Sequence, residues 1–312
     1  MSIRSHPLVS IGIPTYNRAD GYLKECIASA VKQTYPAVEI IVSDNCSNDN
    51  TEELVAGFAD PRIRYHRLRK NIGANNNFNY LVEQAGGDYF LLLHDDDLID
   101  PDFVETCMQA ADYKKGVGLI RTGTRLIDSE GRTVKVMPNN AVGLSTEDFF
   151  LAWFSHKTAL YLCSTLFHTG YLQAIGGFKS RRNLFQDVVA EVRLAAAHGR
   201  IDAKDVKASF RKHADEITFA TKVKHWCEDS SDLLDLIEDL SVENKNLIRK
   251  KGLQFFAHIN FNRAMAVNSP IGRFKALLTV LDHFGYRHFA LRRFGHCCLR
   301  LWDVESIGMK RR

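Results

Sequence analysis

The sequence predicts an α/β fold: a mostly parallel sheet flanked by helices and followed by a helical C-terminal extension. Three observations carry the prediction. Short apolar runs occur at residues 8–14 (LVSIGIP), 38–42 (VEIIV) and 89–93 (YFLLL), and runs of this length closed by polar or turn residues mark buried strands. Between them apolar residues repeat at helical spacing, and strand–helix alternation favours a parallel sheet covered on both faces. From Trp226 onward the helical pattern is nearly continuous, broken at Asn268-Ser269-Pro270 and at Phe284-Gly285.

Taken in order, the first strand covers 8–14 and is closed by a proline. Leu23, Ile27, Ala30 and Val31 then recur at helical spacing, and that helix ends near Tyr35-Pro36. A second buried strand, 38–42, leads into the polar loop 43–50. Residues 51–58 read as helix, 63–68 as extended chain and 74–85 as helix. The most hydrophobic strand, 89–93, runs straight into His94-Asp95-Asp96-Asp97. Ligands of parallel sheets sit beyond the carboxyl ends of the strands. Loops 15–18, 44–49 and 94–97 all follow strand ends and are expected at one rim. Further on, Asp128-Ser129-Glu130-Gly131 reads as a hairpin turn between 121–127 and 132–137. Residues 146–154 and 188–197 read as helices and 206–211 as a strand. The expected organisation is an α/β unit over 1–220, in halves 1–120 and 121–220, then a helical basic region over 221–312.

Composition excludes several classes. With 45% hydrophobic residues, 19 Phe and 10 Tyr, the 312-residue chain can build a sizeable core. Seven scattered cysteines, including the adjacent Cys297-Cys298, form no zinc spacing and suit a reducing compartment. Residues 1–8 show no apolar h-region, so secretion is not expected. No apolar run nears the ~18–20 residues that cross a bilayer, so a cytoplasmic chain, free or lying on a membrane, is expected. The charge is uneven. Residues 245–312 hold 14 Lys/Arg against Asp282, Asp303 and Glu305, whereas the rest holds 27 basic and 34 acidic side chains. No nucleic-acid recognition module accompanies the basic tail, so no nucleic-acid partner is expected. Phe274, Leu277, Leu278 and Leu281 share an apolar helix face beside Arg273 and Lys275. Phe289, Arg292, Arg293, His296, Arg300 and Trp302 mix aromatic and basic groups. Such helices either pack on the α/β unit or dock on an anionic membrane surface.

The sharpest chemical signal is Asp95-Asp96-Asp97. Three successive carboxylates repel one another, and stability alone gives no reason to assemble them at a strand end. Hard cations such as Mg²⁺ and Mn²⁺ bind one or two carboxylates together with substrate phosphates. A helix start accounts for Asp100 or Asp102, whose charge suits the macrodipole, but poorly for the triplet.

Four segments occur in register: Val9-Ser-Ile-Gly-Ile-Pro-Thr-Tyr-Asn-Arg18, Glu39-Ile-Ile-Val-Ser-Asp-Asn-Cys-Ser-Asn-Asp-Asn-Thr51, Asn71-Ile-Gly73 and Gly86-Gly-Asp-Tyr-Phe-Leu-Leu-Leu-His-Asp-Asp-Asp97. Over about residues 7–215 the chain resembles glycosyltransferase family 2, in particular its bacterial cell-surface polysaccharide enzymes. The resemblance implies a GT-A, Rossmann-like fold with nucleotide-sugar binding in 1–120 and the acceptor side in 121–220. It implies an inverting enzyme that moves a sugar from a nucleotide-diphosphate donor to a hydroxyl of a saccharide or lipid-linked acceptor. Pro14, Thr15 and Tyr16 match the loop around base and ribose, and Asp44 the acidic contact to the base. Asn71 falls in the matching Asn-Ile-Gly segment. Asp95, Asp96 and Asp97 cover the Asp-x-Asp element that holds Mn²⁺ or Mg²⁺ and, through it, the sugar diphosphate. His94 stands where several relatives have Asp, and Asn45-Cys46 replaces the commoner Asp-Gly.

The resemblance also points to a base after Gly176-Gly177-Phe178. Asp187 matches the second member of a Glu-Asp-like pair in which Gln186 replaces the acid. A helix cap is the alternative role for Asp187, and Glu191 is the alternative base. His213, in Phe210-Arg-Lys-His213, matches a group that reaches the diphosphate, and Ser164 and Thr165 match an acceptor-side segment. The competing readings are a sugar-nucleotide-binding relative without turnover and a nucleotidyltransferase of similar fold. The latter and a dinucleotide dehydrogenase both want a glycine-rich loop after the first strand, which Pro14-Thr-Tyr-Asn-Arg18 lacks.

Overall fold

A computed structural model describes residues 6–213 and 222–285. The aromatic and basic residues from Phe289 to Trp302 and the Cys297-Cys298 pair lie outside the described residues.

The first half alternates strand and helix: β1 (Val9–Thr15), α1 (Leu23–Val31), β2 (Val38–Asp44), α2 (Thr51–Ala56), β3 (Ile63–Arg67), α3 (Ala74–Gln84) and β4 (Tyr89–Leu92). All four strands are parallel, in the order β3-β2-β1-β4. Their side chains alternate between two cores. In β4, Phe90 and Leu92 join one cluster, while Tyr89 and Leu91 join the other with Val9, Ile11 and Ile13 of β1. Two apolar faces explain why these strands read as continuous hydrophobic runs. Gly12 is required by packing, since a Cβ there would lie 2.7 Å from the Phe90 ring.

The second half departs from the parallel expectation. It comprises β5 (Leu98–Ile99), α4 (Phe103–Ala110), β6 (Leu119–Ile127), β7 (Thr133–Met137), α5 (Thr146–Phe154), β8 (Thr165–His168), α6 (Thr169–Ala174), α7 (Gln186–His198) and β9 (Arg200–Arg211). The sheet continues β4-β8-β6-β9-β5 with β7 on β6. Here only β6 and β9 run parallel, and the β4–β8, β6–β8, β6–β7 and β5–β9 pairs are antiparallel. The hairpin over 128–131 forms as predicted. β9 begins six residues before the strand read at 206–211, because Arg200 and Asp202 hide the pattern: their ion pair, at 2.8 Å, is buried.

Three helices follow: α8 (Val223–Asp239), α9 (Lys245–Met265) and α10 (Pro270–Phe284). The sequence pattern did not show the break at 240–244, where Glu147 of α5 accepts the backbone N–H groups of Val242, Glu243 and Asn244. These helices share one core with the sheet: Trp226, Phe255, Phe256, Val280 and Phe284 belong to the cluster of Phe90 and Phe149. Each fully buried Phe contributes about 1.5–3 kcal/mol. The apolar face expected over 274–281 splits. Leu277 packs inward, while Phe274 and Leu278 are 62% and 45% exposed. No helix among the described residues is long and apolar enough to cross a membrane.

Candidate active site

Because β1 to β4 are parallel, their carboxyl ends lie on one rim, with Thr15 beside Asp44 in the β1–β2 register. The loops that follow are tied together. Asn17 N donates to Ser47 Oγ (2.8 Å), Asn48 N to Asn17 Oδ1 (2.8 Å) and Ala19 N to Asp49 Oδ2 (2.9 Å). The next loop joins through Asn45 Nδ2, which donates to Asn71 Oδ1 (3.0 Å), and Ile72 N, which donates to Asn45 Oδ1 (2.9 Å). Asn71 thus braces two loops. Pro14 and Thr15 are buried in β1, whereas Tyr16 is 42% exposed and open to a ligand. Asp44 is buried, and its carboxylate accepts Ser47 N (2.7 Å) and the Tyr65 hydroxyl (2.6 Å). It is therefore held rigid at the rim.

β4 releases the chain into His94 and the three acids, and β5 immediately pins it to β9 through the pairs Leu98–Ser209 and Ile99–Ala208. That short ladder brings the end of β9 to the acids. Arg211 N donates to the buried Asp97 Oδ1 (3.0 Å), Arg211 Nε donates to Asp96 O (2.9 Å), and His213 Nε2 lies 2.9 Å from Asp96 Oδ2. The Arg211 guanidinium is itself taken up by Glu25 at 2.7 Å and lies 4.1 Å above the Tyr22 ring.

The acids differ in environment. Burial raises the Asp97 carboxyl well above its ordinary value, with Asp96 adding to the shift. Burial and Asp96 push Asp95 up to about 6, against the pull of Thr15, Arg18 and His213. Crowded, desolvated carboxylates that resist ionisation are the donor set a divalent cation would satisfy. Among the described residues, the group able to offer one ligand atom each within 4.8 Å is His94, Asp96 and Asp97. Asp95, which the sequence grouped with the ligands, is not in it. His94, regarded in the sequence only as a departure, is. Its Nε2 is buried without a partner, and its ring lies 5.1 Å from that of Phe78.

The Gly-Gly-Phe segment is locked to α3. Phe178 N donates to Asn79 Oδ1 (2.8 Å), and Asn75 and Asn79 both donate to Phe178 O. Gly177 has φ +75°, and a Cβ there would fall 2.2 Å from Asn79 Oδ1. From this anchor the chain reaches Asp187 in the first turn of α7. Burial raises the Asp187 carboxyl, opposed by the amides of its own helix start and then by His94. Gln186 Oε1 is buried and unpartnered. Glu191, one turn on, is 1% exposed and lies 3.4 Å from the buried Arg121; burial pushes it up to about 8. The Ser164 and Thr165 hydroxyls both donate to Tyr161 O at 3.1 Å and are buried.

The profile of glycosyl transferase family 2 matches residues 10–166. An uncharacterized glycosyltransferase of Rickettsia conorii is 33% identical over 193 residues, 58% of this chain and 30% of its own length. Chondroitin synthase of Escherichia coli is 34% identical over 137 residues, 43% of this chain and 19% of that protein. The chain thus spans under a third of the length of these relatives. Among solved structures, Staphylococcus aureus TarS 1–349 superposes with a TM-score of 0.63 at 18% identity, over 89% of this chain and 80% of that one. The mannosyltransferase PcManGT of Pyrobaculum calidifontis, in complex with GDP-Man and Mn²⁺, gives 0.52 at 16% identity, over 92% and 88%. These two likenesses establish a shared fold.

Proposed function

The chain belongs to glycosyl transferase family 2, and from that premise we propose that it transfers a sugar from a nucleotide-diphosphate donor to an acceptor hydroxyl, in polysaccharide or glycolipid synthesis. TarS has been seen with UDP and UDP-GlcNAc and PcManGT with GDP-Man, which supports this class of donor. In this reading residues 1–220 form the catalytic unit, and α8 to α10 pack against it. The base and ribose lie against Tyr16, with Pro14, Thr15, Asp44 and Asn71 shaping the cradle.

Asp96 and Asp97, with His94, would hold the divalent cation, and Asp95 tunes their charge from the Thr15 side. A bound Mn²⁺ or Mg²⁺ supplies Lewis-acid stabilisation of the charge that develops on the leaving diphosphate. His213, steered by Asp96, donates a hydrogen bond to the same diphosphate. Asp187 takes the proton from the acceptor hydroxyl as the new bond forms. Burial, which raises its pKa, makes it a stronger base than a solvated aspartate. One base without a covalent partner gives a single displacement and inversion at the anomeric carbon.

The observation that carries this reading is the convergence of His94, Asp96 and Asp97, with one ligand atom each within 4.8 Å, at the strand-end rim. Proton NMR of the first product tests it. Inverted anomeric configuration is expected, and retention would require a second nucleophile and overturn the assignment.

We also propose that the exposed stripe of Ile271, Phe274 and Leu278, 71%, 62% and 45% exposed beside Lys275, rests on an anionic cytoplasmic leaflet where a lipid-linked acceptor would be met.

A further inference from the structure

The path into α7 is held from outside the sheet. Residues 179–185 connect Phe178 to the helix that carries Asp187, and among them Asn183 has φ +55°, so nothing regular fixes their course. Asp229 of α8 does. Its carboxylate is 2% exposed, and Oδ2 accepts from Ser180 Oγ (3.0 Å), Arg182 N (3.2 Å) and Leu184 N (3.3 Å). Oδ1 is buried with no partner. Three donors from alternate residues converge on one oxygen, so the backbone direction is set at three successive points.

Supporting contacts surround this anchor. Arg182 pairs with Glu228, and Arg181 with Asp232 at 3.5 Å. Phe185, the last residue before α7, meets Trp226 edge-on with centroids 5.4 Å apart. The Trp226 ring is covered in turn by the Arg263 guanidinium of α9 at 3.8 Å. A buried carboxylate facing a loop is a costly way to gain stability, because an apolar side chain of similar volume avoids the desolvation. What it supplies in return is a defined backbone path.

We propose that Asp229 is a positioning residue for the transfer reaction: it fixes residues 180–185 and with them the start of α7, where Asp187 stands, making α8 and α9 part of the working site. This rests on the reading of Asp187 as base. Asp229→Ala removes the one oxygen that accepts all three hydrogen bonds, whereas Asp229→Asn keeps one carbonyl oxygen for the loop.

Each variant would be compared with the parent for melting temperature, trypsin cleavage after Arg181 and Arg182, affinity for UDP and GDP with Mn²⁺, and kcat. The kcat substrate is whichever member of a UDP- and GDP-sugar panel the parent hydrolyses fastest. The alanine variant should be cut about tenfold faster through local opening. Its kcat should fall by roughly tenfold to a hundredfold, since slight misplacement of a reacting group is enough for that. Nucleoside diphosphate affinity should stay within about twofold, and the asparagine variant should recover most of the loss. A folded alanine variant with parental cleavage or parental kcat would overturn the proposal. A merely structural role would lower the melting temperature and leave kcat per folded molecule unchanged.

Should the alanine variant not fold, Ser180→Ala removes one donor from the other side. It should give a smaller loss of kcat with faster cleavage, and parental values there overturn the proposal equally. Asp187→Asn run alongside separates the two ideas: full turnover removes the base assignment, while the tether is decided by the cleavage and kcat of the Asp229 and Ser180 variants.

Discussion

Gly177→Ala offers a prediction whose size can be worked from the structure. Gly177 sits at φ +75°, where an L-residue costs about 1–2 kcal/mol. The added Cβ would lie 2.2 Å from Asn79 Oδ1. Asn79 must then turn away and give up two hydrogen bonds with the Phe178 backbone, each worth about 0.5–1.5 kcal/mol net. Together the loss is roughly 2–5 kcal/mol. Asn79→Ala alone loses only the bonds, about 1–3 kcal/mol. With Asn79 already truncated, Gly177→Ala has nothing left to strike and should cost only its backbone term, about 1–2 kcal/mol. Urea unfolding of the two single variants and the double variant at 25 °C reads these values, and the double-mutant cycle isolates the coupling. If Gly177→Ala costs as much without Asn79 as with it, the packing explanation of the Gly-Gly-Phe segment is wrong.

The other predictions concern charge and surface. Asp187→Asn should leave UDP or GDP binding near parental and lower turnover by about 10²–10⁴, measured by calorimetry and product release; parental turnover would place the base elsewhere. Glu191 is raised by burial to about 8 from an ordinary 4.5. Its protonated form is therefore favoured by folding, so the stability it contributes is full below about 4.5 and is lost as pH rises through 8. Denaturation at pH 5 and pH 8.5 should show a drop that Glu191→Gln flattens, and identical pH slopes in both proteins would contradict this. Phe274→Ser with Leu278→Ser should reduce co-sedimentation with phosphatidylglycerol vesicles but not with phosphatidylcholine vesicles; unchanged pelleting on the anionic vesicles removes the membrane reading.

How much of this was legible in the sequence depended on where the polar groups ended up. β1, β2 and β4 carry apolar residues on both faces, so their pattern was unmistakable, and the loops after them were placed at one rim. The second half was harder because its interior is charged. Arg121, Glu191, Arg200 and Asp202 are buried together, and a strand such as β9 that carries two of them does not read as core. β5, only two residues long, leaves almost no pattern, yet it joins Asp96 and Asp97 to Arg211 and His213. His94 could have been found from one signal: it lies between an apolar strand and three acids, where an imidazole adds a ligand atom without adding a fourth carboxylate. Asp229 could not, since its partners lie 45–49 residues away.

In the proposed reaction the rim acids with His94 would hold a divalent cation that in turn grips the donor's diphosphate. The most direct test is calorimetric titration of UDP and GDP into the parent and Asp96→Ala, each with and without Mn²⁺. At least one nucleotide should bind the parent about tenfold or more tightly with Mn²⁺, a difference of about 1.4 kcal/mol, and Asp96→Ala should abolish the gain. Equal affinity with and without the ion in the parent, or an undiminished gain in Asp96→Ala, would contradict it.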